Sequence, residues 1–331
     1  IKKEFPIFEQ KIKGKPLIYL DSANSSQKPK VVIDEISRFY ETEFSNVGRS
    51  VHTLAVKATN KFEQTRDIVK SYINAKHREE IIFTKGATEA INLVANTYGE
   101  KFIKAGDEII VTELEHHSNY VPWHYLREKK GAVIKFASVN DNGEVDINEF
   151  KKQISDKTKM IAFTHISNVT GTIMPVKKIV DLAKTKNIPV LIDGTQGAPH
   201  SILDVQDLDC DFYAISCHKM YGPNGLGILY AKKKWVDELP PYQGGGGMIS
   251  EVKKNEISYA DSPTKFEAGT MQTAEVVAFA KSIKFIQDLG IKNIEKHESQ
   301  ILEYGLEKLR KDNSVSIIAV SYTHLRAHET R

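Results

Sequence analysis

The chain has 331 residues, 40% of them hydrophobic, enough for one large α/β domain and a smaller one, each with its own core. No apolar run approaches the roughly 18 residues that span a bilayer, and the opening IKKEFPIFEQ has neither a signal peptide's apolar stretch nor an arginine-rich amphipathic pattern; a membrane is not expected and a cytoplasmic location is. The 46 basic and 43 acidic residues are dispersed, which leaves no basic stripe for nucleic acid, and Cys210 and Cys217 are too few for a disulfide framework or a paired-cysteine zinc site.

After an extended N-terminal segment (1–30), apolar residues at three-to-four spacing predict amphipathic helices over 31–44 and 52–75. From residue 80 the rhythm changes. Short β-branched runs alternate with helical patterns: EIIFT then GATEAINLVANTY, DEIIVT then NYVPWHYLREKKG, then MIAFTHIS, IPVLID, CDFYAIS and GILYAKK. This alternation predicts a mainly parallel sheet with helices on both faces, and the unbroken apolar character of MIAFTHIS and IPVLID marks them as central strands. PPYQGGGGMIS (240–250) is a glycine-dominated loop that ends the regular sheet. Two helical segments follow Thr273, then SVSIIAV as a strand and an unpatterned tail.

Ligands of open parallel sheets bind beyond the carboxyl ends of the strands, so the residues just after each apolar run are the candidates for chemistry. After EIIFT, Gly86-Ala87-Thr88-Glu89 opens a helix whose free N–H groups and dipole suit a phosphate, with plain capping as the alternative. Glu115-His116-His117 follows DEIIVT; a flat imidazole there can stack on a ring, and the competing zinc reading would need His124 as third ligand. Asn168 closes MIAFTHISN and is either an amide donor or a turn residue. Asp193, with Gln196 three residues on, closes IPVLID as a ring-nitrogen partner or a helix cap. Ser216-Cys217-His218-Lys219 follows CDFYAIS and precedes the glycine-spaced YGPNGLG, where a lysine can reach an aldehyde. Phosphate cradle, flat ring, acidic group and lysine at successive strand ends specify a site for pyridoxal 5'-phosphate (PLP).

With these residues in hand, the chain resembles the cysteine desulfurases of the SufS type, within the class V group of PLP-dependent enzymes of the aminotransferase fold (fold type I). The motifs that carry the resemblance are YLDSA (19–23), GATEAINLVAN (86–96), EHHSNYVPW (115–123), HISNVTGT (165–172), IDGTQ (192–196), SCHKMYGPNGLGILY (216–230), GGGGMI (244–249) and FEAGT (266–270). GGGGMI resembles the SufS branch more than the NifS and IscS branch. The resemblance implies that Lys219 joins the cofactor and later moves the Cα proton, and that His116 stacks on the ring. It implies that Asp193 and Gln196 contact the pyridine nitrogen and phenolic oxygen, that Asn168 sits beside the substrate, and that Ala87 belongs to the cofactor site. Thr88, Ser216 and His218 would hold the phosphate, with Thr270 reaching the phosphate of a neighbouring subunit in a homodimer. The implied reaction converts L-cysteine to L-alanine, leaves a persulfide on the enzyme, and feeds iron–sulfur cluster assembly through an acceptor of the SufE or SufU type. Selenocysteine lyase activity is implied as well.

The same resemblance divides the chain into a large PLP-binding domain (31–270), the start of a small C-terminal domain (271–320) and a tail (321–331) that matches nothing in the family and reads as foreign sequence. The attacking cysteine and the carboxylate-binding arginine are expected beyond Arg331. Cys217 and Cys210 read as packing residues. Gly48-Arg49 stands where relatives carry His-Arg, and Met271 replaces a proline. Two other readings remain: another PLP lyase of this fold, of cysteine-sulfoxide or kynurenine type, and a PLP-binding scaffold that turns nothing over.

Overall fold

The computed structural model describes residues 1–48, 50–140, 143–314 and 317. Arg49, most of the expected strand SVSIIAV and the tail 321–331 lie outside the described residues.

The elements run in chain order as β1 (Lys11–Ile12), β2 (Lys15–Pro16), α1 (Lys30–Thr42), α2 (Thr53–Tyr72), β3 (Ile81–Thr84), α3 (Ala87–Phe102), β4 (Glu108–Thr112), α4 (Val121–Lys130) and β5 (Val133–Ala137). They continue with α5 (Ile147–Gln153), β6 (Thr158–Thr164), α6 (Val176–Lys184), β7 (Val190–Asp193), α7 (Val205–Leu208), β8 (Phe212–Ser216), β9 (Gly227–Ala231) and α8 (Lys233–Glu238). Last come β10 (Ile249–Lys253), β11 (Glu256–Tyr259), α9 (Thr273–Leu289) and α10 (Ile291–Leu309). The helices and strands read from the sequence rhythm between residues 31 and 311 are present, and α5, α6, α7, α8, the β1–β2 pair, β5 and the β10–β11 hairpin are additions to them. The half-exposed edge strand β5, VIKFA, has its apolar residues on either side of Lys135, and β10–β11 form an exposed hairpin just past the glycine loop.

Seven strands form the main sheet in the order β3-β9-β8-β7-β6-β4-β5. β4 to β8 pair in parallel, whereas β9 runs antiparallel to both β8 and β3. The turn between β8 and β9 is too short for the helical crossover that a parallel pair needs, so the chain reverses. MIAFTHIS and IPVLID become β6 and β7 in the middle of the sheet, as their continuous apolar character predicts.

Alternate residues of each buried strand feed two cores. On one face Phe83, Ile110, Phe163, Ile192, Tyr213 and Ile228 pack against α2, α6 and α9; on the other Ile82, Val111, Ala162, Leu191, Phe212 and Leu229 meet α3 and Trp123 of α4. Val276, Phe279, Ile283 and Ile286 of α9 are buried in the first core, so this helix packs as part of the large body. No helix among the described residues is long and apolar enough to cross a membrane.

One buried ion pair ties this body to the loop before α9. Arg66 of α2, only 2% exposed, donates to both carboxylate oxygens of Glu267 at 2.8 and 2.9 Å and to the carbonyl of Ile81 at 2.7 Å. Glu267 in turn accepts from the N–H of Phe83 at 2.7 Å, and the guanidinium lies over the Phe83 ring. Each partner therefore satisfies the other in a place water does not reach. Glu267→Ala is expected to leave the guanidinium with the half-exposed Glu63 as its remaining carboxylate partner, 3.1 Å away, and to destabilise the fold by about 3–5 kcal/mol, read as a lower urea midpoint. Removing the exposed Lys284–Asp288 pair should barely move that midpoint.

Candidate active site

A cavity of about 210 Å³ opens where β6, β7 and β8 end and α3 begins. Ala87, Thr88, His116, Asn168, Asp193, Gln196, Ser216, His218 and Lys219 all line it. Thr270 does not: it is exposed and lies outside this wall. Asn24, Ser118, Thr164, Ile166 and Thr195 complete the lining, and none was singled out from the sequence. Asn24 and Ser118 are types common in turns and Thr164, Ile166 and Thr195 are types common in or beside strands, so residue type alone could not have marked them.

The phosphate end is built by a close approach of two glycines. A Cβ on Gly227, at the start of β9, would lie 2.3 Å from the Cα of Gly86, so the turn into α3 can rest directly on the sheet only because Gly227 lacks a side chain. That contact lets the N–H of Ala87 donate to the Ser216 hydroxyl at 2.9 Å. The N-terminus of α3, with Thr88 beside it, points its positive end into the same space. His218 faces it as a neutral imidazole: burial, with help from the Lys219 and Lys28 ammonium groups, pushes it down to about 4.

His116 is held by its own turn. The N–H of Ser118 donates to Nδ1 at 3.1 Å, so the ring proton sits on Nε2 whenever the ring is neutral, and the Ser118 hydroxyl lies 2.6 Å from the same nitrogen. Beneath the turn is Glu115, a residue whose part the sequence did not reveal. It accepts from the Thr112 hydroxyl at 2.6 Å, the Asn119 amide at 2.5 Å and the N–H of Thr164 at 3.0 Å, joining the ends of β4 and β6. Burial outweighs these donors and pushes its carboxyl up to about 8, with Asp193 adding to the rise. No group of histidine, cysteine and acidic side chains suited to a metal occurs among the described residues. His124 faces Glu128 on α4 at 3.2 Å instead of joining His116 and His117.

Asp193 ends β7 with its side chain almost fully buried, and the N–H of Thr195 donates to its Oδ1 at 3.0 Å. The loop that follows rests on Tyr213 and His165, whose hydroxyl and Nδ1 are 2.7 Å apart. A Cβ on Gly194 would come within 1.8 Å of the Tyr213 ring, and one on Gly197 within 2.4 Å of His165. Both glycines are therefore required by the pair beneath them. Burial pushes His165 down to about 4, so the imidazole is neutral.

A PLP molecule fits this set of groups. The α3 N-terminus and the hydroxyls beside it suit a dianion, the buried Asp193 carboxylate suits a protonated ring nitrogen, and the Lys219 amine and the His116 imidazole line the same cavity. The buried Thr195 hydroxyl, which has no hydrogen-bond partner among the described residues, adds a further donor or acceptor for a ligand.

The family model "Aminotransferase class-V" matches residues 18–329. The chain belongs to that family. It is 43% identical to a cysteine desulfurase of Pectobacterium atrosepticum over 98% of this chain and 80% of that protein. It is 44% identical to a probable cysteine desulfurase of Mycolicibacterium paratuberculosis over 97% of this chain and only 47% of the other. Its fold superposes on the Escherichia coli cysteine desulfurase CsdA with a TM-score of 0.86 at 34% identity, covering 92% of this chain and 76% of that one. The cysteine desulfurase of Thermococcus onnurineus NA1 gives a TM-score of 0.89, also at 34% identity, over 94% and 76%. The chain spans about four fifths of some relatives and about half of others. As a class-V member related to cysteine desulfurases, it is a PLP-dependent enzyme.

Two expectations follow from the layer under Asp193. Gly194→Ala should displace the Tyr213 ring or the loop and cost about 1–3 kcal/mol or more, seen as a lower melting temperature together with weaker PLP retention. His165 has a folded value near 4 against an ordinary 6.5, so the unfolded chain binds its proton first as the pH falls. Stability should therefore be lost as pH drops from about 6.5 to about 4, by roughly 3 kcal/mol from this group. Urea denaturation across that window should show a flatter loss in His165→Asn than in the wild type.

Proposed function

We propose that this chain is the PLP-holding part of a cysteine desulfurase of the SufS type, which takes L-cysteine to L-alanine and passes the sulfur on as a persulfide. One observation carries the reading: Lys219 and Asp193 line a single cavity with the N-terminus of α3. When bound, the cofactor supplies an electron sink for the charge left at the substrate Cα. Thr88, Ser216 and His218 would hold its phosphate, Asp193 would serve the ring nitrogen, Gln196 the phenolic oxygen, and His116 would stack on the ring. Lys219 is the covalent anchor. Its amine would also be the base that moves the substrate Cα proton, with Asn168 beside the substrate.

The sulfur must go to a thiolate, and neither cysteine of this sequence suits. Cys210 and Cys217 are completely buried, and burial pushes both thiols well above their ordinary range. Both pack in the core, and the attacking thiolate is supplied by another group. A homodimer, Thr270 reaching a neighbour's phosphate, an acceptor of the SufE or SufU type, iron–sulfur cluster assembly and action on selenocysteine belong to the same proposal. It rests on the relatives and on the motifs FEAGT and GGGGMI.

The burial of both thiols favours a second reading, in which the 331 residues by themselves hold PLP without releasing sulfur. Wild type and Lys219→Ala, each incubated with PLP, L-cysteine and an added small-molecule thiol that takes up the sulfur as a persulfide, separate the two. Under the leading reading the wild type releases alanine and the variant falls by at least about 100-fold. Cofactor binding without alanine would support the second reading. A Lys219→Ala protein as active as the wild type would refute the site assignment.

A further inference from the structure

We infer that Lys28 is a positioning residue for Lys219: together with Ser26 it pins the peptide joining His218 to Lys219 and so aims the cavity amine. The inference rests on the reading of Lys219 as the cofactor lysine.

The carbonyl of His218 is bonded directly to the nitrogen of Lys219, and the N-terminal segment converges on it. It accepts from the Ser26 N–H at 3.2 Å, the Ser26 hydroxyl at 2.9 Å and the Lys28 ammonium at 2.8 Å. Three donors on one backbone carbonyl, one of them charged, are more than a turn needs for its own closure. Ser26 is buried, and its hydroxyl also accepts from the N–H of Tyr221 at 2.8 Å, so one side chain grips the loop on both sides of Lys219. Tyr221 is in the left-handed region with φ near 59°, a conformation that costs a non-glycine residue energy and persists only where neighbours hold it.

Lys28 is partly buried, with its ammonium against the Ser26 carbonyl at 2.6 Å and that of His218. Burial pushes it down to about 8. A surface lysine performing no task would leave its charge in water. The same segment also receives the Gln196 amide on the carbonyl of Ala23 at 2.7 Å and sets the Ser25 hydroxyl 3.1 Å from Nδ1 of His218. Pro29 then caps α1, which packs on α9, so the clamp hangs from the rigid body. Loops after β7 and β8 are thus fixed by one stretch of six residues nearly 200 positions away.

The test measures capture of PLP by Lys219. The amine and the aldehyde condense with loss of water, and borohydride adds hydride to the resulting C=N bond, leaving a permanent adduct that mass spectrometry counts. Wild type, Lys28→Met, Lys28→Arg, Ser26→Ala and Lys219→Ala are compared for the rate of adduct formation, with the melting temperature of each cofactor-free protein measured alongside. Lys28→Met is expected to react about 10- to 100-fold more slowly at a melting temperature close to wild type. Lys28→Arg should recover most of the rate because it restores a charged donor, and Ser26→Ala should be slowed in the same direction. If Lys28→Met fails to fold, the Ser26→Ala rate decides. Rates in Lys28→Met or, failing that, Ser26→Ala equal to the wild type would overturn the inference while leaving the Lys219 reading intact. A wild type that forms no adduct on Lys219 would overturn both.

Discussion

Lys219 and Asp193 reach the cavity from the carboxyl ends of neighbouring parallel strands, β8 and β7, and the rest of the architecture serves to keep an amine and a carboxylate there, shielded from bulk water. Parallel pairing is what makes this geometry available. It brings the ends of β4, β6, β7 and β8 to one edge of the sheet, where loops can differ without disturbing the buried ladder. The reversal of β9 adds a second requirement, because its first residue must be small enough for the turn into α3 to lie against it.

Held groups of this kind need support from beneath. Under Asp193 the Tyr213–His165 contact forms a floor, and Gly194 and Gly197 let the loop settle on it. Under His116 the buried Glu115 joins two strand ends through three hydrogen bonds. Under Lys219 the support comes from the N-terminal segment rather than the sheet. Each of the three uses polar groups in places where water cannot substitute, so a lost partner costs more than one hydrogen bond in solvent would.

The same logic separates the two described cysteines from the chemistry. A nucleophilic thiol must be exposed enough to ionise and to meet the substrate sulfur, whereas Cys210 and Cys217 sit in the first core among Tyr213, Ile215 and Met220. They contribute packing.

Most of the cavity wall was legible in the sequence. Continuous apolar runs identify buried strands, strand ends identify candidate sites, and the residue types at those ends carry their own chemistry: an amine that adds to an aldehyde, a carboxylate, a flat ring and a helix N-terminus. Periodicity likewise placed α1, α2, α9 and α10 within a few residues. It did not reveal β5, whose short apolar run is broken by Lys135, or the β10–β11 hairpin, whose exposed strands lack an apolar signature. Nor could it show that Lys28, Ser26 and Glu115 lie beneath the site, because hydrogen bonds to carbonyls and turns distant along the chain leave no local pattern. What the sequence by itself determined is which groups are present and at which strand ends. Only the tertiary structure decided which of them share a cavity and what holds them there, because those contacts join residues separated by as many as 195 positions and exist only once the sheet has formed.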